Sequence, residues 1–145
     1  MKNILFLCTG NSCRSQMAEG WAKHIWGNKY NFYSAGTEKH GLNPRAVKAM
    51  LENGVDISKH FSKTIDDLPN IQFDLVITVC GHANENCPLL PGAPLLLHVG
   101  FDDPPKLSIG LSDETVIMDH YHRVCSEIQK FAGTLDSLFV QKYNF

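Results

Sequence analysis

A cysteine and an arginine separated by five residues follow the first apolar run of the chain. Cys8 comes directly after the apolar residues 4–7, and Arg14 ends the segment. The residues between them are small or polar: Thr9, Gly10, Asn11, Ser12 and Cys13. A turn of this composition can point several backbone N–H groups inward, which creates a concave site for an anion.

These residue types predict the attack of a thiolate on a tetrahedral oxyanion. Arg14 carries a planar guanidinium that can hold two oxygens of such an anion. A helix that begins at Arg14 would add its unpaired N–H groups and its positive dipole end, which also favour the thiolate of Cys8. Ser15 can donate a hydrogen bond to Cys8 and stabilise it as a leaving group. Gly10 allows backbone angles that other residues resist.

Two more cysteines, Cys80 and Cys87, lie close together further along the chain. They fit either two buried structural cysteines or a thiol pair that transfers electrons by disulfide exchange. On a continuous helix they would lie roughly 10 Å apart, whereas a disulfide needs Cα atoms within about 7 Å of each other. A bond between them therefore requires the segment to be non-helical or to unwind. His82 does not make this segment a zinc site, because a second ligand pair at finger-like spacing is missing from the sequence.

A carboxyl group near the loop could protonate the oxygen that leaves the anion. Asp103 precedes Pro104 in the turn after an apolar run at residues 95–99, with Asp102 beside it. An aspartate before a proline is also common in an ordinary turn, so the residues alone leave both roles open.

Four short apolar runs predict the strands that position these residues, at 3–7, 31–34, 74–79 and 95–99. Each run is rich in aliphatic or aromatic residues without strict alternation, as is typical of a strand buried on both faces. Cys8 and Cys80 each stand at the carboxyl end of such a run. Because ligands bind where the carboxyl ends of parallel strands meet, the two cysteines should face one crevice.

Helices are predicted between and after the strands. The first covers residues 14–26, and the second covers 43–54, where the side-chain cap Asn43 is followed by a proline. An apolar stripe at spacings of four and three over residues 117–138 marks the last helix, with a bend or an early end at Gly133. The alternation of strands and helices favours an α/β fold with a parallel sheet and helices on both faces.

Length, composition and charge indicate one globular domain over residues 1–145, expected as a monomer. The chain is 43% hydrophobic and 19% charged with a net charge of −2, so neither nucleic acid nor a membrane surface is an expected partner. Its first apolar run is too short for a signal peptide or a membrane span, which favours the cytoplasm. In that reducing compartment, catalytic, redox-active or buried cysteines are expected rather than a disulfide framework. Cys13 should pack under the loop, and Cys125 should be structural.

The string LFLCTGNSCRSQMAEG at residues 5–20 resembles the thioredoxin-coupled arsenate reductases of the low-molecular-weight protein tyrosine phosphatase superfamily. Further matches are SAG at 34–36, GLNP at 41–44, VDIS at 55–58 and GFDDP at 100–104. The resemblance covers nearly the whole chain. It implies an open four-stranded parallel sheet in the order 2-1-3-4, flanked by helices.

By the same resemblance, the chain is an enzyme of arsenic detoxification that reduces arsenate to arsenite through three cysteines. Cys8 attacks arsenate, Cys80 attacks the Cys8–arsenic adduct, and Cys87 then attacks Cys80 to leave a Cys80–Cys87 disulfide. Thioredoxin is the implied reductant of this disulfide, phosphate or sulfate would compete with arsenate, and no cofactor is implied. Asp103 is implied as the general acid, because relatives use the aspartate immediately before the proline.

Some relatives bind potassium next to the loop through residues that match Asn11, Glu19 and Ser34. Lys63 stands where those relatives carry an acidic residue, so its ammonium could replace the cation and pair with Glu19. Lys63 could equally be a solvated surface lysine. We therefore expect these four residues to support the loop, without a required metal.

Two other functions stay open. A low-molecular-weight protein tyrosine phosphatase would use Cys8, Arg14 and Asp103 alone and would leave the second cysteine pair unexplained. Phosphatase relatives usually carry tyrosines where Pro105 and Lys106 stand here. A non-catalytic oxyanion-binding or redox-sensing module would not need an intact nucleophile, arginine and acid together.

Overall fold

A four-stranded, all-parallel sheet forms the centre of the computed structural model, which describes residues 1–80 and 95–145. Its strands are β1 (Asn3–Cys8), β2 (Asn31–Gly36), β3 (Leu75–Thr78) and β4 (Leu96–His98). Their order across the sheet is β2-β1-β3-β4. The four predicted runs are thus confirmed as strands, and so is the order implied by the resemblance.

The central strand β1 is buried on both faces, with β2 on one side and β3 on the other. Ile4 and Phe6 enter one core, whereas Leu5 and Leu7 enter a second core on the opposite face. All four side chains are at most 1% exposed. Because both faces of this strand are covered, its sequence is continuously apolar rather than alternating.

The edge strand β4 departs from the prediction of a buried strand. Leu96 is 50% exposed, and His98 is exposed as well. The expectation that this run is buried on both faces is therefore wrong. β4 lies at an edge of the sheet, as β2 does. Unlike the side chains of β2, however, those of Leu96 and His98 remain accessible to solvent because too little of the described chain packs over them.

The described residues form five α-helices: α1 (Arg14–Trp26), α2 (Pro44–Glu52), α3 (Pro104–Leu107), α4 (Glu114–Gly133) and α5 (Leu135–Tyr143). α1, α2 and α4 pack against one another over the first core. The second core is covered, in the described part of the chain, by a 3₁₀ turn at Ile65–Asp67 and by the residues that lead from it to Phe73. No described helix is both long and apolar enough to span a membrane.

Local signals account for some of the helix boundaries. The Asn43 side chain caps α2, because its Oδ1 accepts a hydrogen bond from the Arg45 N–H at 2.9 Å. α4 ends at Gly133 and α5 begins at Leu135, so the predicted break is confirmed. The short helix α3, which begins at Pro104, was not predicted.

Candidate active site

The carboxyl ends of β1 and β3 meet at one edge of the sheet, beside a cavity of about 490 Å³. Leu7 of β1 pairs with Thr78 of β3. Cys8, the last residue of β1, and Cys80, which follows β3, therefore lie at the same edge of the sheet. Residues from the segment Cys8 to Arg14 line the cavity together with His40, Asn43, Asp103, Pro105 and Lys106. The fold thus brings the predicted nucleophile, arginine and acid to one place.

Three carbonyl oxygens of the loop are bound by the segment that follows β2. The Glu38 N–H donates to Thr9 O at 3.0 Å, the His40 N–H to Gly10 O at 3.0 Å, and the Asn43 N–H to Ser12 O at 3.1 Å. In a planar trans peptide the C=O and the following N–H point in opposite directions. A bound carbonyl therefore fixes the direction of the N–H group that follows it, and an oxyanion site requires these N–H groups to point inward.

The Cys8 thiol is held by Ser15 at the start of α1. The Cys8 Sγ and Ser15 Oγ atoms are 3.0 Å apart, and both residues are buried. Ser15 Oγ also accepts a hydrogen bond from the Asn11 Nδ2 at 2.9 Å. Because this amide uses a lone pair of Ser15, the serine hydroxyl proton remains available to donate to Cys8.

Asn11 is the buried centre of the loop, with no exposed surface. Its Nδ2 donates to Ser15 Oγ and also to Ser34 Oγ at 3.0 Å. Its Oδ1 accepts from the Lys63 N–H at 2.8 Å and from Gln16 Nε2 at 2.9 Å. The backbone of Asn11 adopts a left-handed conformation with φ of 46°, which asparagine tolerates better than most residues.

The left-handed residue of the loop is thus Asn11 and not Gly10, whose φ is not in that region. The expectation that Gly10 supplies special backbone angles is therefore wrong. Gly10 matters for a different reason: a Cβ atom there would lie 2.2 Å from His40 Nδ1, so the His40 side chain would have to move. The imidazole of His40 packs directly on the loop backbone, and this contact was not predicted.

Behind the loop, the carboxylate of Glu19 contacts two cations and one hydroxyl. The Ser34 hydroxyl donates to Glu19 Oε1, Lys23 Nζ lies 2.5 Å from Oε2, and Lys63 Nζ lies 3.8 Å from Oε1. Burial alone would raise the pKa of Glu19, but the ion pair with Lys23 and the contacts with Ser34 and Lys63 outweigh burial and lower it. Burial lowers the pKa of Lys63, and Glu19 opposes that shift in part.

Gln16 and His60 form an unpredicted layer beneath Asn11. Gln16 Nε2 donates to Asn11 O at 3.1 Å and to Phe61 O at 2.9 Å. Its Oε1 lies 3.0 Å from His60 Nδ1, so this nitrogen must carry the proton of the imidazole. Burial lowers the pKa of His60. Both residues have ordinary surroundings in the sequence, which gave no signal for their contact.

The two aspartates before Pro104 face different arginines. Arg14 Nη1 donates to Phe101 O at 3.1 Å, and Arg14 Nη2 lies 3.6 Å from Asp103 Oδ2. Asp102 instead meets Arg123 of α4, with Oδ2 and Nη2 2.9 Å apart. Asp103 therefore is the carboxylate that lines the cavity.

The remaining cysteines differ in their surroundings. Cys80 is 1% exposed and belongs to the same buried cluster as Cys8 and Cys13. Burial, reinforced by Asp103, raises the pKa of Cys13. Burial also raises the pKa of Cys125, which packs 3.5 Å from the Met50 sulfur. Cys87 lies outside the described residues. Within residues 1–80 and 95–145, no three His, Cys, Asp or Glu side chains form a group that could hold a metal ion.

The sequence profile of the low molecular weight phosphotyrosine protein phosphatase family matches residues 3–137. The chain belongs to this family. It is 61% identical to an arsenate reductase of Bacillus licheniformis, over 92% of this chain and 96% of that protein. It is also 53% identical to an arsenate reductase of Halalkalibacterium halodurans, over 89% of this chain and 91% of that protein.

A solved structure described as an arsenate reductase in the phosphate binding state has the same fold. It superposes with a TM-score of 0.76 at 30% sequence identity, over 94% of this chain and 98% of the other. The parallel sheet order and the flanking helices of this family member therefore agree with known structures of its relatives.

The Lys63 ammonium lies behind the loop of this family member, among oxygen atoms that could bind a cation. Lys63 Nζ lies 3.5 Å from Asn11 Oδ1, 3.5 Å from Ser34 Oγ and 3.0 Å from Phe61 O, in addition to its pairing with Glu19. The ammonium thus contacts the oxygen atoms that a cation would need. We propose that Lys63 supplies the positive charge at this position.

Exchange of sodium for potassium at equal ionic strength should leave the urea midpoint of unfolding unchanged, because Lys63 already neutralises Glu19. The variant Lys63→Asp restores the acidic residue of potassium-binding relatives and should gain stability in potassium. Equilibrium unfolding followed by fluorescence measures both chains. A selective stabilisation of the unchanged chain by potassium would contradict the role of Lys63.

Ser15→Ala should slow the alkylation of Cys8 by iodoacetamide about tenfold, because a hydrogen bond to the thiolate favours the reactive form. Mass spectrometry of the modified chain identifies the alkylated residue and gives its rate. Thr37→Ala is the matched control, since the Thr37 hydroxyl donates to Thr9 O at 3.3 Å and leaves Cys8 untouched. Equal alkylation rates for Ser15→Ala and the unchanged chain would contradict the stabilisation of the Cys8 thiolate by Ser15.

Proposed function

We propose that this chain reduces arsenate to arsenite and so detoxifies arsenic. The observation that carries the proposal is a second thiol, Cys80, which is buried at the same edge of the sheet as Cys8. A phosphatase needs one cysteine at this edge, whereas a reductase needs thiols that give up two electrons. The similarity to relatives named arsenate reductase, at up to 61% identity, supports the same choice.

In the first step, the loop holds arsenate as it would hold phosphate. The inward N–H groups of residues 9–14 and the Arg14 guanidinium bind its oxygens. Cys8 Sγ attacks arsenic, a sulfur–arsenic bond forms, and one arsenic–oxygen bond breaks. Asp103, which faces Arg14 across the cavity, gives its proton to the departing oxygen.

In the second step, the Cys80 thiolate attacks Cys8 Sγ, and the sulfur–arsenic bond breaks. Its electron pair stays on arsenic, which is thereby reduced from arsenate to arsenite, and a Cys8–Cys80 disulfide forms. The Ser15 hydroxyl, 3.0 Å from Cys8 Sγ, no longer has a thiolate to stabilise. Both cysteines are buried at the same edge of the sheet.

In the third step, Cys87 attacks Cys80 and releases Cys8 for another turnover. The new Cys80–Cys87 disulfide would be reduced by the dithiol of thioredoxin. The sequence alone supports this step, since residues 81–94 lie outside the described part of the chain. The cysteine chemistry fits a cytoplasmic protein, because that compartment keeps thiols reduced. We further propose that residues 1–145 act as one domain and as a monomer without a cofactor.

Hydrolysis of aryl phosphates is a weaker second candidate. Cys8, Arg14 and Asp103 suffice for that reaction, so some phosphatase activity is expected to remain. The described residues that line the cavity include no Tyr, Trp or Phe, and Pro105 and Lys106 stand at its wall. The described part of the cavity wall therefore offers no aromatic slot for the ring of an aryl ester.

Cys80→Ser and Cys87→Ser should each abolish multiple turnovers of arsenate reduction, because each breaks the path of electrons to thioredoxin. NADPH oxidation in the presence of thioredoxin and thioredoxin reductase measures this turnover. Both variants should still hydrolyse para-nitrophenyl phosphate, since that reaction does not use a second thiol. Cys125→Ala is the control, because Cys125 packs in the core against Met50 and should not affect turnover. Full thioredoxin-driven turnover by either serine variant would refute the three-cysteine relay.

A further inference from the structure

Two adjacent carboxylates, Asp102 and Asp103, stand where the chain passes the cavity. Asp103 lies 3.6 Å from Arg14 on the inner side, and Asp102 lies 2.9 Å from Arg123 of α4. Both aspartate side chains are partly exposed, at 37% for Asp102 and 27% for Asp103. The two carboxylates are therefore distinguished by the arginine that each one meets.

Arg123 is itself held in place by its own helix. Its Nη1 donates to Glu127 Oε2 at 2.8 Å, one helical turn along α4. The flanking residues Tyr121 and Val124 of α4 are buried in the core. The second nitrogen of Arg123, Nη2, therefore contacts Asp102 from a helix whose position is fixed by its packing in the core.

The turn is held from its inner side as well. Arg14 Nη1 binds the carbonyl of Phe101 at 3.1 Å, and the Phe101 ring packs against Phe131 of α4 with centroids 5.9 Å apart. After the turn, the Leu107 N–H donates to Asp103 O at 3.1 Å and starts α3. The residues 101–103 are therefore clamped between the loop arginine and α4.

We propose that Arg123 is a positioning residue, which keeps Asp102 on α4 so that Asp103 is the carboxyl group that faces the anion. The inference rests on the proposed function, in which Asp103 is the general acid. Without Arg123, the carboxylate of Asp102 could turn towards Arg14 and compete with Asp103. A general acid must lie within hydrogen-bond reach of the leaving oxygen, so this competition lowers the rate of the chemical step.

The exposure of this ion pair makes the proposal testable. Arg123 is 45% exposed, and ion pairs of this kind contribute little to the free energy of unfolding. The variant Arg123→Gln should therefore stay folded. Arg45 is a matched control, because it also pairs with α4, holds Glu114 through two hydrogen bonds of 2.9 Å, and is 42% exposed.

The full chain is assayed with two aryl phosphates that differ in leaving group. Phenyl phosphate needs a proton on its departing oxygen, whereas para-nitrophenyl phosphate needs much less help. Arg123→Gln should lower kcat for phenyl phosphate about tenfold, with a clearly smaller loss for para-nitrophenyl phosphate and with KM nearly unchanged. Asp102→Asn alone should cause little loss and should largely restore kcat when added to Arg123→Gln, because a neutral amide does not compete with Asp103 for Arg14. Arg45→Gln should change neither substrate.

The decisive comparison repeats Arg123→Gln in the Asp103→Asn background. If Arg123 acts through Asp103, its replacement should cause no further loss there. An equal loss with or without Asp103, or an unchanged kcat for phenyl phosphate, would overturn the proposal. Because aryl phosphate hydrolysis does not use Cys80, the result stands apart from the reductase assignment. If the chain does not reduce arsenate, but Arg123→Gln still lowers kcat more for phenyl phosphate than for para-nitrophenyl phosphate, only the proposed function is refuted.

Discussion

The amide side chain of Asn11 fixes the direction of a buried chain of hydrogen bonds that ends on Cys8. Its two N–H groups donate to the hydroxyls of Ser15 and Ser34, so each hydroxyl has its own proton left to give. Ser34 gives that proton to Glu19, and Ser15 is left to donate to Cys8. An unmade bond in this buried chain would cost about 1–3 kcal/mol. The nucleophile is therefore prepared by groups well behind the loop.

This arrangement serves Cys8 in both of its proposed roles. A hydrogen bond from Ser15 stabilises the thiolate before it attacks arsenic, and it stabilises the same sulfur whenever it leaves. The far end of the chain needs a positive charge beside Glu19, which Lys23 and Lys63 supply from two different segments. Because the Lys63 N–H also binds Asn11 Oδ1, one residue neutralises the carboxylate and fixes the amide.

Sequence patterns predicted the features that depend on neighbouring residues in the chain. They did not predict the contacts between residues that are far apart in the sequence. The spacing of Cys8 and Arg14 predicted an anion loop at a strand end, and Gly133 predicted the break between α4 and α5, because each signal lies within a few residues. The contacts of His40 with the loop and of Arg123 with Asp102 join segments far apart in the chain. No periodicity in the sequence marks these contacts. The left-handed backbone conformation of the loop also belongs to Asn11, whereas the composition of the loop predicts it for Gly10.

The most direct test of arsenate reduction is a count of thiols in the fully reduced chain before and after one equivalent of arsenate, without thioredoxin. Titration with a thiol reagent under denaturing conditions gives the number, and the chain begins with five cysteines. Reduction of one arsenate should remove two thiols, because two electrons pass to arsenic as one disulfide forms. Five remaining thiols after the arsenate has been incubated with active protein would contradict the reductase assignment.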